Sequence, residues 1–283
     1  MAPARSSSHH VYVGSDIVVK LIDADKHSRL DREVELAPYL PLGLAAPFLA
    51  SGHYRLPTRD LRYACFARVA GKAPGMSMPG VDAATARSLA ESAVELLAGM
   101  HGWIPTGQVE QMLGESLDHG GFVGQAALFA DLDKLAAADR LRIVPGALID
   151  GLVAIAERAP LQAGAAIPVH ADCHWANWLA CDGSVTALLD FEWARFGEPV
   201  DDWFFLVRYS GPHMDAVLDV IARATESSSD DLRAACEVRE AAYLASDLRI
   251  AIERGGASSQ MAVDRLNALE QLVVGQYWWR HAR

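Results

Sequence analysis

Two β-branched runs open the chain. They flank Gly14-Ser15-Asp16, a turn cluster, and the spacing predicts a hairpin over residues 9–22. The period then changes. Leu30, Val34, Ala37 and Leu40 recur at helical intervals with Arg32, Glu33 and Glu35 between them, predicting a helix over 28–40 that Pro38 and Pro41 shorten. Residues 61–70 alternate as a strand. The stretch from Gly71 to Gly80, rich in Gly, Pro and Met, predicts a joint between a small first lobe and a larger second one. Beyond it the pattern is mainly helical: 82–101, N-capped by Asp82, then 122–139, 145–158, 201–209, 213–225, 230–254 and 258–281. A short β stretch interrupts the helices at 167–170, followed by 178–180 and 185–189, which Asp182-Gly183 joins as a tight turn. The reading is an α+β chain with a first lobe over 1–71 and a second over 72–283.

Composition narrows the function classes. Hydrophobic residues make up 51% of the 283 residues and charged residues 22%, which excludes disorder over most of the chain. Thirty-six acidic residues against 25 basic ones give a net charge of −11. That argues against a dedicated nucleic-acid binder and disfavours docking on an anionic membrane, but it suits a cationic small-molecule partner. Cys65, Cys173, Cys181 and Cys236 show no close-spaced pair. Reduced thiols in a cytoplasmic protein are the simplest reading, with Cys173 and Cys181 expected as buried apolar side chains. The N-terminus lacks the apolar run of a signal peptide, and no stretch approaches the ~20 residues of a membrane span. A monomer or weak homodimer is expected.

The densest polar region reads His170-Ala-Asp172-Cys-His174-Trp-Ala-Asn177, then a hairpin, then Leu188-Leu189-Asp190-Phe191-Glu192. Asp172, Asn177 and Asp190 stand beside apolar strands, where a solvated surface would not need them. Phosphoryl transfer from a nucleotide requires such a set: one carboxylate to orient and deprotonate the attacking hydroxyl, an Asn oxygen and a second carboxylate to hold magnesium.

These residues resemble the catalytic loop of the aminoglycoside phosphotransferase family, which has a protein-kinase-like fold. The match runs through His170, Asp172 and Asn177, then Leu189-Asp190-Phe191, then Gly197-Glu-Pro199-Val-Asp-Asp202. The resemblance implies a two-lobed fold with a small antiparallel sheet and a mainly helical second lobe. It implies Asp172 as catalytic base, with His170 bracing the loop and Asp202 holding it. Asn177 and Asp190 become magnesium ligands, and ATP or GTP the phosphoryl donor. Lys20 falls where the family's phosphate-binding lysine lies; Glu33 is its expected partner, with Glu35 the alternative. Residues 66–71, including Arg68 and Ala70, match the strand and hinge that meet the nucleotide base. Two departures stand out. Only about ten residues precede the hairpin, so either Ser6 to His10 form an abbreviated nucleotide loop or the first lobe lacks a strand. Ala171 replaces the usual Gly, which the loop tolerates if its φ is negative.

For the acceptor, Glu237, Glu240 and Asp247 lie on the C-terminal helices, and Glu198 and Asp201 lie closer to the loop. Such carboxylates would attract an ammonium- or guanidinium-bearing substrate. Three functions are therefore expected. One is a kinase of a cationic antibiotic, an aminoglycoside or a viomycin-type cyclic peptide. Another is a metabolic kinase for choline, ethanolamine or homoserine, since Asp190-Phe191-Glu192 resembles choline-kinase-like members. The third is a non-catalytic nucleotide-binding module.

Overall fold

The computed structural model describes residues 1–4, 9–26, 28–117, 121–256 and 258–280. A five-stranded antiparallel sheet comes first: β1 (Ala2–Ala4), β2 (His10–Val13), β3 (Ile17–Asp23), β4 (Phe48–Arg55) and β5 (Asp60–Ala67), in the order β1-β2-β3-β5-β4. The predicted hairpin is β2–β3. On the central strand β3, Lys20 faces Val11 on one side and Ala64 on the other. The strand expected to be missing is present as β1, which pairs Ala2 with Val13. Ser6, Ser7 and Ser8 of the expected abbreviated loop lie outside the described residues.

Helix α1 (Arg29–Leu36) packs on this sheet. Leu30, Glu33 and Leu36 recur one turn apart and are buried, because helical periodicity puts them on one face, whereas Glu35 is exposed. Leu30 joins Ile22, Ala64 and Phe66 in a small core of its own. Carrying Glu33 on that buried face brings a carboxylate under the sheet.

The chain leaves the sheet through Gly71, whose φ is +128°. A Cβ there would stand 2.9 Å from the Ala180 carbonyl, so the backbone passes where only glycine fits. The next residue, Lys72, exchanges both backbone hydrogen bonds with Ala180 at 2.9 and 3.0 Å. Leu188 N–H donates to Leu44 O at 2.8 Å, a second seam between the sheet region and the helical region.

The remainder is helical around one large core. Its helices are α2 (Ala83–His101), α3 (Gln108–Leu113), α4 (Gln125–Ala138), α5 (Gly146–Glu157), α6 (Val200–Arg208), α7 (Met214–Ala224), α8 (Ser229–Gly255) and α9 (Gln260–Val273). The Asp82 side chain caps α2 by accepting from Thr85 N–H at 2.8 Å. Four short strands lie in two pairs: β6 (Ile167–Val169) with β9 (Arg195–Gly197), and β7 (Trp178–Cys181) with β8 (Ser184–Leu188). Asp182 and Gly183, at φ 51° and 79°, make the predicted tight turn between β7 and β8. Trp175, Trp178 and Trp278 are fully buried.

Several elements differ from the sequence expectation. Strands β1, β4 and β9 were not expected, because none carries an apolar rhythm of its own; nor was helix α3, whose buried Val109, Met112 and Leu113 share a face but span only one turn. The last helix stops at Val273, and Trp278 enters the core from a separate 3-10 turn. Cys173 is buried as expected, but Cys181 is exposed at the β7–β8 turn.

Candidate active site

A cavity of about 1170 Å³ runs between the sheet and the helical region. The polar residues on its lining arrive from both the sheet and the helical region. Lys20 comes from the middle of β3, paired on both edges and therefore fixed. Its Nζ donates to both Glu33 carboxylate oxygens at 2.7 and 2.8 Å and to Asp190 Oδ1 at 2.9 Å. Glu33, and not Glu35, is the partner. Burial alone would push the Lys20 pKa down; Glu33 and Asp190 more than offset that and hold it above the ordinary lysine value.

The loop after β6 carries His170, Asp172 and Asn177. His170 is fully buried, and burial lowers its pKa to about 4. The neutral ring accepts from Asp172 N–H at Nδ1 (3.2 Å) and meets Leu189 O at Nε2 (3.0 Å). A carbonyl can only accept, so the proton is on Nε2, and the ring braces the loop against the segment bearing Asp190. Asp202, in the first turn of α6, closes the loop's other side. Its carboxylate accepts from the backbone N–H groups of His170 (3.1 Å) and Ala171 (2.7 Å) and lies 2.9 Å from His101 Nε2. Burial would raise the Asp202 pKa, but these partners hold it below the usual carboxylate value. Ala171 itself has φ +62°, so the negative φ at which alanine would replace glycine without strain is not the one adopted. The two Asp202 hydrogen bonds hold an alanine in a left-handed conformation that glycine adopts more readily.

Asn177 donates Nδ2–H to Asp172 O at 2.8 Å and to Asp172 Oδ2 at 3.2 Å, which leaves its Oδ1 as the acceptor turned elsewhere. Its backbone carbonyl accepts from Leu189 N–H at 2.8 Å, so the loop and Asp190 are tied twice. Asp190 has φ +73°, a turn that brings its carboxylate off β8 toward Lys20. Asp172 is three-quarters buried beside Asp190 and Glu192. Burial first, and then repulsion from those two carboxylates, raises its pKa well above the ordinary value.

The hinge residues divide. Arg68 lines the cavity, but its backbone N–H donates to Asp16 O and its guanidinium to Gly14 O. Ala70 stands outside the lining, its carbonyl accepting from the Thr186 hydroxyl at 2.7 Å. Ala67 and Val69 face the cavity beside Arg68.

The five acceptor carboxylates also divide. Asp201 and Asp247 line the cavity; Glu198, Glu237 and Glu240 do not. All five sit against arginines: Glu198 and Asp201 on Arg239, Glu237 on Arg158, Glu240 on Arg208 and Asp247 on Arg265. The lining there also includes Tyr209, Tyr243 and Met261, none of which had a motif to announce it. Glu192, by contrast, was visible in the Asp190-Phe191-Glu192 run. Its pKa is pushed up to about 7 by burial and by Asp190.

The profile of the phosphotransferase enzyme family matches residues 3–238. The chain belongs to that family. This phosphotransferase also shares its fold with solved structures of low sequence identity. The GDP complex of an aminoglycoside 2'-phosphotransferase-IIIa is 15% identical, with a TM-score of 0.76, over 96% of this chain and 91% of that one. The GDP and kanamycin complex of APH(2")-IIIa is 15% identical, with a TM-score of 0.74, over 96% and 92%. A ternary complex of APH(4)-Ia with AMP-PNP and hygromycin B is 17% identical, with a TM-score of 0.62, over 96% and 92%. No curated protein sequence matches the chain.

Proposed function

We propose that this phosphotransferase moves the γ-phosphoryl group of ATP or GTP to a hydroxyl of a cationic antibiotic, an aminoglycoside or a viomycin-type cyclic peptide. The observation carrying this reading is the convergence of Asp172, Asn177 and Asp190 with the Lys20–Glu33 pair on one cavity. The structural neighbours, solved with kanamycin or hygromycin B, support the acceptor class. We place the lobe boundary at Gly71, and Ala67 to Val69 against the nucleotide base.

The residues divide the work. Lys20, held charged between Glu33 and Asp190, would bind donor phosphate oxygens. Asp172 would accept the hydroxyl proton and aim the oxygen, and its raised pKa makes it a stronger base once ionised. His170, neutral and locked with its proton on Nε2 toward Leu189 O, positions Asp172 and takes no part in proton transfer. The donor set fits a divalent magnesium ion. Asn177 has committed its amide N–H to Asp172 and keeps an oxygen to give; Asp190 gives one oxygen to Lys20 and has a second. Asn177 and Asp190 would hold the ion, which when bound would supply positive charge against the negative charge that develops on the phosphates. Asp201 and Asp247 would meet the acceptor's cationic groups.

One observation favours a second reading. Asp201 and Asp247 are already balanced by Arg239 and Arg265, which line the same cavity. A small alcohol of the choline or homoserine type would suit that balance better than a polycation. Radiolabelled γ-phosphate with a panel of aminoglycosides, cyclic peptides, choline and homoserine decides. Label on an antibiotic supports the first reading, label on choline or homoserine alone replaces it with the second, and no label on any acceptor sinks both.

A further inference from the structure

The side of the cavity nearest the N-terminus holds a group the phosphoryl-transfer set does not use. His9, just before β2, approaches Glu192, its Nε2 3.8 Å from Glu192 Oε2. One ligand atom each of His9, Asp190 and Glu192 lies within 4.8 Å of the other two. The side chains of His9 and Glu192 are 1% and 4% exposed. Glu192 Oε1 faces Arg29 at 3.5 Å, and Arg29 is held by stacking over Trp193 with 4.7 Å to the ring centre. Glu192 Oε2 has no hydrogen-bond partner among the described residues. A carboxylate oxygen that has lost its water and gained no donor is costly to bury. It is aimed at the same point as the imidazole and Asp190.

The charge around that point is also unbalanced. Glu33, Asp172, Asp190 and Glu192 stand against Lys20 and Arg29. With all four carboxylates ionised the groups carry a formal charge of two negative, a local field that attracts cations.

We propose that His9, Asp190 and Glu192 form a second divalent-cation site, with one imidazole nitrogen and two carboxylate oxygens as ligands. Opposite ligands of an octahedral ion at about 2.1 Å stand about 4.2 Å apart, so small side-chain rotations bring the three atoms onto one ion. The nitrogen decides which ion. Magnesium takes oxygen ligands almost exclusively, while imidazole favours first-row transition metals. The site therefore suits Mn²⁺, Co²⁺ or Zn²⁺, and it ties the chain immediately before β2 to the segment carrying Asp190. The inference rests on the reading of Asp190 as a metal ligand.

The test is a Mn²⁺ titration of the nucleotide-free protein in excess magnesium, followed by electron paramagnetic resonance. Being free of substrate, it stands apart from the phosphoryl-transfer assay, and either can fail alone. One Mn²⁺ per chain is expected, with ¹⁴N coupling from an imidazole in the pulsed spectrum. His9→Gln and Glu192→Gln should each weaken binding at least tenfold. His174→Gln, which removes the imidazole 3.7 Å from Asp172, should not. Displacement of all Mn²⁺ by magnesium, or a folded His9→Gln protein that keeps both its affinity and the coupling, overturns the site. If His9→Gln fails to fold, the wild-type spectrum and Glu192→Gln decide: bound Mn²⁺ without imidazole coupling also overturns it.

Discussion

Asp172 carries the sharpest expectations at the scale of single residues. Replacing it with Asn keeps its shape and removes the proton acceptor, so kcat should fall by roughly 10²–10⁴ with nucleotide affinity nearly unchanged. Asp190→Asn should weaken Mg-nucleotide binding as well as kcat, and Asn177→Ala should do the same more mildly. Comparing kcat, nucleotide affinity and melting temperature for each separates the roles; an Asp172→Asn protein with near-normal turnover removes the base assignment. The pH profile gives an independent reading. A base works ionised, and burial with Asp190 and Glu192 raises the Asp172 pKa. Its acid limb in kcat/KM should therefore lie above the ordinary aspartate range of about 4, with activity lost as pH falls through it. Glu192→Gln deletes one of the repelling charges and should move that limb to lower pH. This trio was legible as a motif, because its spacing is short and fixed. Glu192 was legible only as a neighbour of Asp190. His9 was not, since it lies 181 positions from Asp190 in the chain and only the sheet brings them together.

Elements explain how these residues are held. Asp202 at the start of α6 is the chief brace, fully buried and bonded to two loop amides and His101. Asp202→Asn puts an amide N–H where a carboxylate accepted, at a cost of about 3 kcal/mol, or roughly 5–10 °C in melting temperature, with kcat falling alongside. An unchanged melting temperature would remove Asp202 from that role. Because partners hold its pKa down, its stabilisation is present above about pH 4 and fades as pH falls below it. Ala171 is the counterexample, a strained position tolerated at small cost. Relief of its positive φ by glycine gains about 1–2 kcal/mol. Glycine's backbone entropy costs about 0.5–1 kcal/mol and the lost buried methyl about 0.8. Ala171→Gly should thus melt within a few degrees of wild type, while a β-branched Ala171→Val should melt well below it. The helices were legible because amphipathic runs of two turns or more announce themselves. Strand β4 was not: most of its side chains are exposed, and it is a strand because β5 pairs with it. Strand β1 is Ala-Pro-Ala, with no rhythm to read at all.

For the molecule as a whole, the open quantity is the sign of charge the acceptor brings. A net charge of −11 attracts cations over tens of ångströms at low salt. Inside the cavity the balance is different. Asp201 and Asp247 face it together with Arg195, Arg239 and Arg265, so the long-range field and the local lining favour different acceptors. Composition revealed the first and could not reveal the second, because pairing between α6, α8 and α9 is set by their packing. Arg265 separates the two. It ion-pairs with Asp247 across α8 and α9 and lies over Tyr243, 5.5 Å from the ring centre. Arg265→Gln removes one positive charge from the lining and leaves the phosphoryl-transfer residues in place. For a polycationic acceptor KM should fall, by roughly tenfold if the charges lie about 12 Å apart and screening is typical of a protein surface. For an acceptor bearing a carboxylate, KM should rise by a similar factor. Salt supplies the control. From 0.1 to 1 M the screening length shrinks from about 10 to 3 Å, so kcat/KM for a polycation should fall steeply while a neutral alcohol's stays level. If Arg265→Gln leaves KM unchanged for an acceptor whose kcat/KM does fall with salt, then attraction operates on the approach alone, and Asp201 and Asp247 do not hold the bound acceptor.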